Sequence, residues 1–214
     1  NSREVAGNGI DDDGNGYVDD VYGYDFVNVD GDPMDDHSHG THCAGTIGAV
    51  GNNGVGVVGV NWTVRLMALK IFDATGSGAM STAIEALNYA VQMGAHISSN
   101  SYRWYQYSQA FYDAIAAAGR ANHLVVAAAG NETINNDVTP CYPGSFTLGN
   151  IINVAAIQQN GTLASFSNYG VESVDLAAPG ASIYSTIPGD TYTFMDGTSM
   201  ACPHVAGAAA HMRA

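Results

Sequence analysis

Two short segments of the chain contain residue types that suit nucleophilic catalysis. Ser199 lies in a Gly-Thr-Ser-Met-Ala segment, between a Gly-Thr turn and an alanine-rich stretch that predicts a helix. A serine hydroxyl is a weak nucleophile at neutral pH and needs a neighbouring base to accept its proton. His39, at the start of a His-Gly-Thr-His segment, is the candidate base. A serine at a helix N-terminus also lies where the helix dipole and free N–H groups favour developing negative charge.

The first 36 residues are strongly acidic, since they contain eleven of the twenty Asp and Glu residues of the chain. Oxygen-bearing side chains recur at alternate positions from 11 to 19, with glycines between them, which is the spacing of loops that wrap around calcium. Carboxylates packed so closely repel one another unless a cation compensates them. A metal site is therefore favoured over a solvated acidic loop. The predicted ligands are Asp11, Asp13, Asn15, the Tyr17 carbonyl and Asp19, with Asp20 as an alternative to Asp19.

Length and composition limit the classes of protein that fit. The 214 residues, 46% of them hydrophobic, are enough for one domain with a sizeable core. A net charge of −14 excludes a nucleic-acid partner, because little in the chain neutralises phosphates. No apolar window of about 18 or more residues is present, so a membrane-spanning helix is not expected. The three cysteines are an odd number, so they cannot all pair within the chain.

Apolar strands alternate with helical segments along the middle of the chain. Strands without polar alternation, joined by helices, indicate a parallel sheet that is covered on both faces. The sequence therefore predicts a three-layer α/β/α domain with a mostly parallel central sheet. The predicted helices lie at about 41–49, 81–93 and 108–119 and around Ser199. The predicted strands lie at about 65–72, 95–100, 123–129, 151–156 and 174–178, with a hairpin at about 182–194 and loops before residue 37.

On the Ser199 and His39 segments, and on an Ala-Ala-Ala-Gly-Asn segment that ends at Asn131, the chain resembles the subtilisin-like serine proteases, or subtilases. The resemblance extends from about residue 7 to residue 207. It implies that His39 is the general base and Ser199 the nucleophile, in the order along the chain that the family has. It also implies that the side-chain amide of Asn131, with the N–H of the serine, stabilises the tetrahedral oxyanion. His42, three residues after His39, is expected to be structural.

The third catalytic group of the family is absent from these residues. In subtilases it is an aspartate in an Asp-Thr-Gly or Asp-Ser-Gly strand end, and no such segment occurs here. The resemblance therefore implies a partial catalytic domain at 1–214, incomplete at both ends, with an acidic calcium-binding insert at 7–36. We expect the sheet to have an open gap where the missing strand would lie. We also expect these residues alone to be nearly inactive, because loss of that aspartate costs roughly four orders of magnitude in rate.

The resemblance further implies substrate-binding and calcium-binding residues. Gly76, Ser77 and Gly78 match the edge strand on which subtilases bind a peptide as an added antiparallel strand. Ser101 and Gly130 match positions that flank the cleft, but the segment after Ser101 departs from the family because it contains Tyr-Arg-Trp and no glycine. The calcium ligands implied by the resemblance are Asp25, Asn28, Asp30 and Asp32, in a loop before the catalytic histidine, and Asn53, with backbone carbonyls, in a third site.

These features together predict a calcium-dependent endopeptidase that is secreted or extracytoplasmic. Its cofactor is expected to be Ca²⁺, and its partners polypeptide substrates and its own pro-segment as an inhibitor. The alternative is a catalytically inactive, subtilase-like module that binds calcium and interacts with other proteins. The presence of His39, Asn131 and Ser199 together argues against this alternative, because an inactive relic has no need of all three.

Overall fold

Strands and helices alternate through most of the chain. The structure is a computed structural model that describes residues 1–213. Its strands are β1 (Gly23–Asp25), β2 (Ala68–Lys70), β3 (Ile97–Asn100), β4 (Leu124–Ala128), β5 (Ile151–Ile157), β6 (Leu176–Pro179), β7 (Ile183–Ile187) and β8 (Thr191–Met195). Its helices are α1 (His39–Gly48), α2 (Met80–Gln92), α3 (Gln109–Arg120) and α4 (Thr198–Arg213).

The central sheet consists of four parallel strands in the order β3-β4-β5-β6. α4 covers one face, where Val126 and Ala128 of β4 share a core cluster with Ala201 and Ala206. α2 and α3 cover the other face, where Val125 packs with apolar residues of both helices. Successive residues of β4 thus point to opposite apolar layers, which explains the lack of polar alternation in this strand. The predicted three-layer α/β architecture with a parallel sheet is confirmed.

The parallel strands lie in two separate sheets. β1 and β2 pair with each other in parallel, apart from the four-stranded sheet. Within residues 1–213, β2 and β3 therefore each have one edge without a partner strand. The prediction of loops throughout the first 37 residues is wrong, because Gly23–Asp25 forms β1. Gly23 has φ +139°, and a Cβ at this position would lie 1.7 Å from the Ala68 carbonyl oxygen, so only glycine allows the close approach to β2.

A buried carboxylate holds the acidic N-terminal segment against α2. Asp20 is fully buried and accepts hydrogen bonds from the Tyr89 hydroxyl at 2.6 Å and from the Asn15 side-chain amide at 2.7 Å. The ring of Tyr17 packs edge-on against the rings of Tyr89 and Tyr24. Because a charged group away from water needs such partners, these contacts specify how the segment docks. The acidic segment is thus packed against the rest of the molecule.

The boundaries of the predicted helices and of the C-terminal hairpin agree closely with the structure. α2 and α3 begin and end within one residue of the predicted positions, and α1 does so within two residues. The hairpin of β7 and β8 lies where the sequence places it. The side chain of Ser108 accepts a hydrogen bond from Phe111 N at 3.3 Å and so caps the start of α3. β2 is shorter than predicted. None of the helices in the described part of the chain combines the length and apolar character that crossing a bilayer requires.

Candidate active site

Ser199 is the second residue of α4, so its hydroxyl lies at the N-terminus of a 16-residue helix. The residue is half-buried, between the buried residues Thr198 and Met200. Ser199 Oγ donates a hydrogen bond to the Ser101 carbonyl at 3.3 Å, and Ser101 Oγ donates to the Ser199 carbonyl at 2.8 Å. This reciprocal pair ties the start of α4 to the segment that follows β3. It fixes the hydroxyl where the helix dipole stabilises negative charge.

Thr198 orients the side-chain amide of Asn131. Asn131 Oδ1 accepts hydrogen bonds from Thr198 N at 2.8 Å and from Thr198 Oγ1 at 2.9 Å, and Oγ1 in turn accepts from Gly130 N at 3.1 Å. These bonds to Oδ1 fix the orientation of the amide, and with it the position of its nitrogen, Nδ2. Asn131 Nδ2 and Ser199 N each lie 3.5 Å from the point that a Cβ on Gly197 would occupy. Two nitrogens that carry N–H groups therefore border one small region, an arrangement suited to stabilise an oxyanion.

Two buried asparagines shape the loop that follows β4. Asn168 Oδ1 accepts a hydrogen bond from Glu132 N at 2.9 Å. The side-chain amides of Asn168 and Asn136 both donate to the Ala129 carbonyl, at 3.0 Å and 2.8 Å. Gly130 has φ +110°, and a Cβ there would lie 2.3 Å from Asn168 Nδ2. Glycine is therefore required at the turn that presents Asn131.

His39 begins α1 and lies half-buried beside His37, with 6.4 Å between the two ring centroids. Burial lowers the pKa of His39, and the neighbouring His37 and His42 lower it further, whereas Asp35 opposes them. An imidazole that is neutral near pH 7 is suited to accept a proton. The electrostatics of this position therefore fit a general base.

The carboxylate of Asp35 caps the start of α1. Its Oδ2 accepts from Thr41 N and Thr41 Oγ1, both at 2.7 Å, and its Oδ1 accepts from the backbone N–H groups of His37 and Ser38, both at 2.8 Å. Ser38, the residue at the N-cap position, makes no side-chain cap itself. Four hydrogen bonds to one carboxylate therefore fix the backbone from which His39 projects.

α1 packs directly against the start of α4. Cys43, one turn after His39, donates its thiol to the Ser199 carbonyl at 3.4 Å. Burial raises the pKa of Cys43 to about 12, so the thiol is uncharged and acts as a small buried hydrophobe. His42 is fully buried, and its Nε2 lies 3.0 Å from the Ile183 carbonyl of the hairpin, in agreement with the structural role expected for it.

The predicted substrate-binding residues occupy three segments. Ser101 and Gly130 follow β3 and β4 and contact the start of α4 as described above. The segment at 76–78 lies in the loop between β2 and α2 and is not a strand in the structure, so the expected edge strand is not preformed. A Cβ on Gly76 would lie 3.2 Å from His37 Nε2, which places this loop beside the start of α1. Peptide binding along residues 76–78 stays a prediction.

Three carboxylates near the N-terminus form an acidic group. Glu4, Asp11 and Asp13 each offer an oxygen within 4.8 Å of the others. Glu4 is only 9% exposed; its Oε1 accepts from Asp13 N at 3.1 Å, while its Oε2 has no hydrogen-bond partner. Because an unpartnered buried oxygen of this kind is costly, it is suited to a cation. Two of the predicted calcium ligands thus lie together, with Glu4 as a third candidate that the sequence analysis missed.

The other predicted ligands of this loop bond mainly within the N-terminal segment. Asn15 Nδ2 donates to the buried Asp20, and Asn15 Oδ1 accepts from Tyr17 N at 2.7 Å. Asp19 accepts from the backbone of residues 8 and 9, at 3.1 Å and 3.0 Å. Asn53 lies in an exposed loop, where its Oδ1 accepts from the N–H two residues further on. Calcium binding by these four side chains and by the Tyr17 carbonyl stays a prediction.

A lysine supplies positive charge to the second predicted calcium cluster. Asp25 is buried, and its Oδ2 lies 2.9 Å from Lys70 Nζ and accepts from Asn28 Nδ2 at 2.9 Å. Asp30 and Asp32 each accept from a backbone N–H two residues on. Within residues 1–213, the carboxylates of Asp25, Asp30 and Asp32 do not form a cluster whose oxygens all lie within 4.8 Å of one another, as those of Glu4, Asp11 and Asp13 do. Lys70 therefore compensates part of the negative charge whose repulsion predicted a metal at this cluster.

Three residues that position the site were not identified from the sequence: Thr198, Asp35 and Asn168. Thr198 lies within the Gly-Thr-Ser-Met-Ala segment, which already indicated a candidate catalytic serine. Asp35 lies shortly before a predicted helix, where an aspartate is a signal for a helix N-cap. Asn168 leaves no local signal, because Glu132, whose N–H it accepts, lies 36 residues earlier in the chain.

Comparisons with known proteins give one family. The model described as Subtilase family matches residues 4–214. The Thermophilic serine proteinase of Bacillus sp. (strain AK1) is 44% identical over 190 residues, which are 89% of this chain and 46% of that protein. Thermitase of Thermoactinomyces vulgaris is 41% identical over 189 residues, 88% of this chain and 66% of that protein. Subtilisin-like protease 1 of Plasmodium falciparum (isolate 3D7) is 38% identical over 228 residues, 98% of this chain and 33% of that protein.

Substitution of His37, which lies beside His39, tests the electrostatics of the site. Positive charge on His37 disfavours protonation of His39, so His37→Gln is expected to raise the pKa of His39 and to reduce the fraction of neutral His39 at pH 6. An NMR titration of the His39 ring measures the shift. His96→Gln, which alters an exposed histidine that does not contribute to the pKa of His39, is the control. An unchanged or lowered pKa in His37→Gln would contradict the expectation.

Proposed function

The chain belongs to the subtilase family, and we propose that it hydrolyses peptide bonds as the catalytic part of a longer, calcium-stabilised serine endopeptidase. The curated relatives named above support a serine protease, and the chain spans about half of the first of them and a third of the Plasmodium relative. The observation that carries the proposal is the convergence of Asn131 Nδ2 and Ser199 N beside a serine at the N-terminus of α4.

In the proposed reaction, Ser199 Oγ attacks the carbonyl carbon of a peptide bond while His39 accepts the hydroxyl proton. The carbonyl oxygen becomes an oxyanion and accepts hydrogen bonds from Asn131 Nδ2 and Ser199 N. The C–N bond then breaks, as His39 returns the proton to the leaving amine. Water attacks the resulting ester by the same route, which releases the carboxylic acid and restores Ser199.

A carboxylate that orients His39 completes the proposed mechanism. Within residues 1–213, no carboxylate accepts a hydrogen bond from the His39 ring; Asp35 is instead occupied by the backbone and Thr41. We propose that the missing group arrives on an additional strand, for which β2 and β3 each offer a free edge. These 214 residues alone are accordingly expected to be nearly inactive.

Covalent labelling of Ser199 tests the proposed function. A fluorophosphonate reacts with a serine whose hydroxyl is activated by a neighbouring base, so the full-length protein is expected to be labelled. Ser199→Ala is expected to abolish the labelling, as followed by mass spectrometry of the labelled peptide. Ser81→Ala, at an exposed position on α2, is the control and retains it. Folded full-length protein that resists the probe would support the inactive calcium-binding module instead.

Thr198 variants test how much the orientation of the Asn131 amide contributes to kcat. Thr198→Val removes the hydroxyl that donates to Asn131 Oδ1 and accepts from Gly130 N. Because loss of one oxyanion donor costs about 100-fold or more in rate, we expect the variant to lower kcat by on the order of 10- to 100-fold with KM little changed. Thr198→Ser keeps the hydroxyl and is expected to stay close to the wild type. Equal activity in the valine and serine variants would show that Thr198 does not position the amide.

We propose Ca²⁺ as the ion of the N-terminal acidic group. Glu4, Asp11 and Asp13 offer only oxygen donors, which a hard cation prefers, and the unpartnered Glu4 Oε2 is available to it. Arg3 lies 2.9 Å from Asp13 and balances only part of the negative charge. A bound calcium ion would compensate the remainder and fix the N-terminal segment in place.

Thermal unfolding with and without calcium tests this site. At free calcium about 100-fold above its Kd, the melting temperature is expected to rise by about 5–10 °C, and a chelator reverses the gain. Glu4→Gln is expected to remove most of the difference. Glu172→Gln, which deletes the same charge at an exposed position far along the chain, is expected to leave it intact. A wild-type melting temperature that does not respond to calcium or chelator would rule the site out.

The partners and location of the protein follow from the same proposal. Its substrates are polypeptides, its own pro-segment acts as an inhibitor, and it works in a secreted or extracytoplasmic setting. Membership of the subtilase family supports the class of substrate. The inhibitor and the location rest on the resemblance alone.

A further inference from the structure

Three Asn-X-Thr triplets occur in the chain, and they begin at Asn61, Asn131 and Asn160. Such a triplet is the acceptor for N-linked oligosaccharides in proteins that enter the secretory route of eukaryotic cells. An N-linked oligosaccharide is bulky and strongly hydrated, so a folded protein carries it on an asparagine whose side-chain amide faces solvent with open space around it. The three asparagines differ in this respect.

Asn61 is buried, with 5% of its surface exposed. Its backbone N–H donates to the Ile47 carbonyl at 2.9 Å, and its side-chain oxygen accepts from Thr63 N at 3.2 Å. The residue is thus held against the end of α1. A sugar on this amide would have to lie within the protein, where its hydroxyl groups would lose water without gaining partners. The first triplet is therefore not available to an oligosaccharide.

Asn131 is half-buried, and its Oδ1 is held by the backbone and the hydroxyl of Thr198. Its Nδ2, the atom that would carry the sugar, borders the same small region as Ser199 N. An oligosaccharide on Nδ2 would fill the space that the substrate carbonyl occupies in the proposed reaction. The second triplet is therefore incompatible with the proposed protease function.

Asn160 lies in an exposed turn that follows β5. Every residue from 158 to 163 is exposed. The turn is closed by backbone hydrogen bonds from Gln158 N to the Thr162 carbonyl at 2.8 Å and from Gly161 N to the Gln158 carbonyl at 2.9 Å. A Cβ built on Gly161 would have no heavy atom within 4 Å, apart from those of its chain neighbours, so the space beside the turn is open. The third triplet therefore combines a defined backbone with free access from solvent.

The contacts within this triplet leave the amide nitrogen of Asn160 free. Asn160 Oδ1 accepts hydrogen bonds from Thr162 N at 3.0 Å and from Thr162 Oγ1 at 2.7 Å. Both bonds are made to the oxygen of the amide, so they orient the side chain without using its nitrogen. Within residues 1–213, Asn160 Nδ2 donates to no protein group. A sugar bonded to Nδ2 would therefore break none of the contacts that hold the turn.

We propose that Asn160 is an N-glycosylation site and that, of the three triplets, it is the one that carries an oligosaccharide. The donor would be a lipid-linked oligosaccharyl pyrophosphate. Asn160 Nδ2 loses a proton and bonds to the anomeric carbon of the first sugar, while the bond from that carbon to the pyrophosphate oxygen breaks and the lipid pyrophosphate leaves with the electron pair. The donor and its transferase belong to the secretory route, so the inference rests on the secreted location proposed above.

Secretion of the full-length protein from cultured eukaryotic cells, with a cleavable signal peptide supplied, tests the site. A peptide N-glycosidase is expected to lower the mass of the secreted wild type by one oligosaccharide. The peptide that contains position 160 is expected to show the conversion of asparagine to aspartate that this enzyme leaves behind. Thr162→Ala removes the third residue of the triplet and is expected to abolish the mass change. Thr162→Ser keeps a hydroxyl group and is expected to retain it.

The matched controls are Thr63→Ala and Thr133→Ala, which disrupt the other two triplets at exposed positions and are expected to leave the mass change intact. Secreted wild type whose mass does not respond to the glycosidase would overturn the inference, and so would an oligosaccharide at either of the other two triplets. Thr162→Ala is expected to retain fluorophosphonate labelling of Ser199. Because that labelling is read independently of the glycosidase, failure of the glycosylation site is distinguished from failure of the protease function.

Discussion

Two hydrogen bonds from Thr198 to the side-chain oxygen of Asn131 hold the candidate site together. They join the loop after β4 to the start of α4, and they turn the amide so that its N–H group faces the same region as Ser199 N. An amide dipole stabilises a developing oxyanion only if it is oriented before the charge appears. The buried Asn168 and the glycine at 130 serve this orientation, because they shape the loop that carries Asn131.

The parallel sheet brings these groups together from distant parts of the chain. β3 and β4 are parallel, so both end at one edge of the sheet, and the chain emerges there close to Ser101 and Asn131. α4 begins at the same place and presents Ser199. α1 packs on α4, and the Asp35 cap fixes the turn that carries His39. The site is thus built from element ends, where side chains and backbone N–H groups are not used by the sheet or the helices.

Local sequence patterns predicted the helices and strands that position the site. Apolar periodicity placed α2 and α3 to within one residue, and a continuous apolar run placed β4, because helix and strand faces must match the core. The support of Asn131 by Thr198 and Asn168 was missed, since side-chain hydrogen bonds between residues tens of positions apart leave no period in the sequence. For the same reason, the acidic pattern around Asp25 did not reveal that Lys70, 45 residues later, donates a hydrogen bond to this carboxylate.

The structure of a peptidyl boronic acid bound to Ser199 in the full-length protein is the most direct test of the converging donors. The boron is expected to bond to Ser199 Oγ, with one boronate oxygen about 2.7–3.1 Å from both Asn131 Nδ2 and Ser199 N. The Thr198 bonds to Asn131 Oδ1 are expected to persist in that complex. A boronate oxygen that points to solvent, or an Asn131 amide turned away from it, would contradict the role assigned to the Thr198–Asn131 pair.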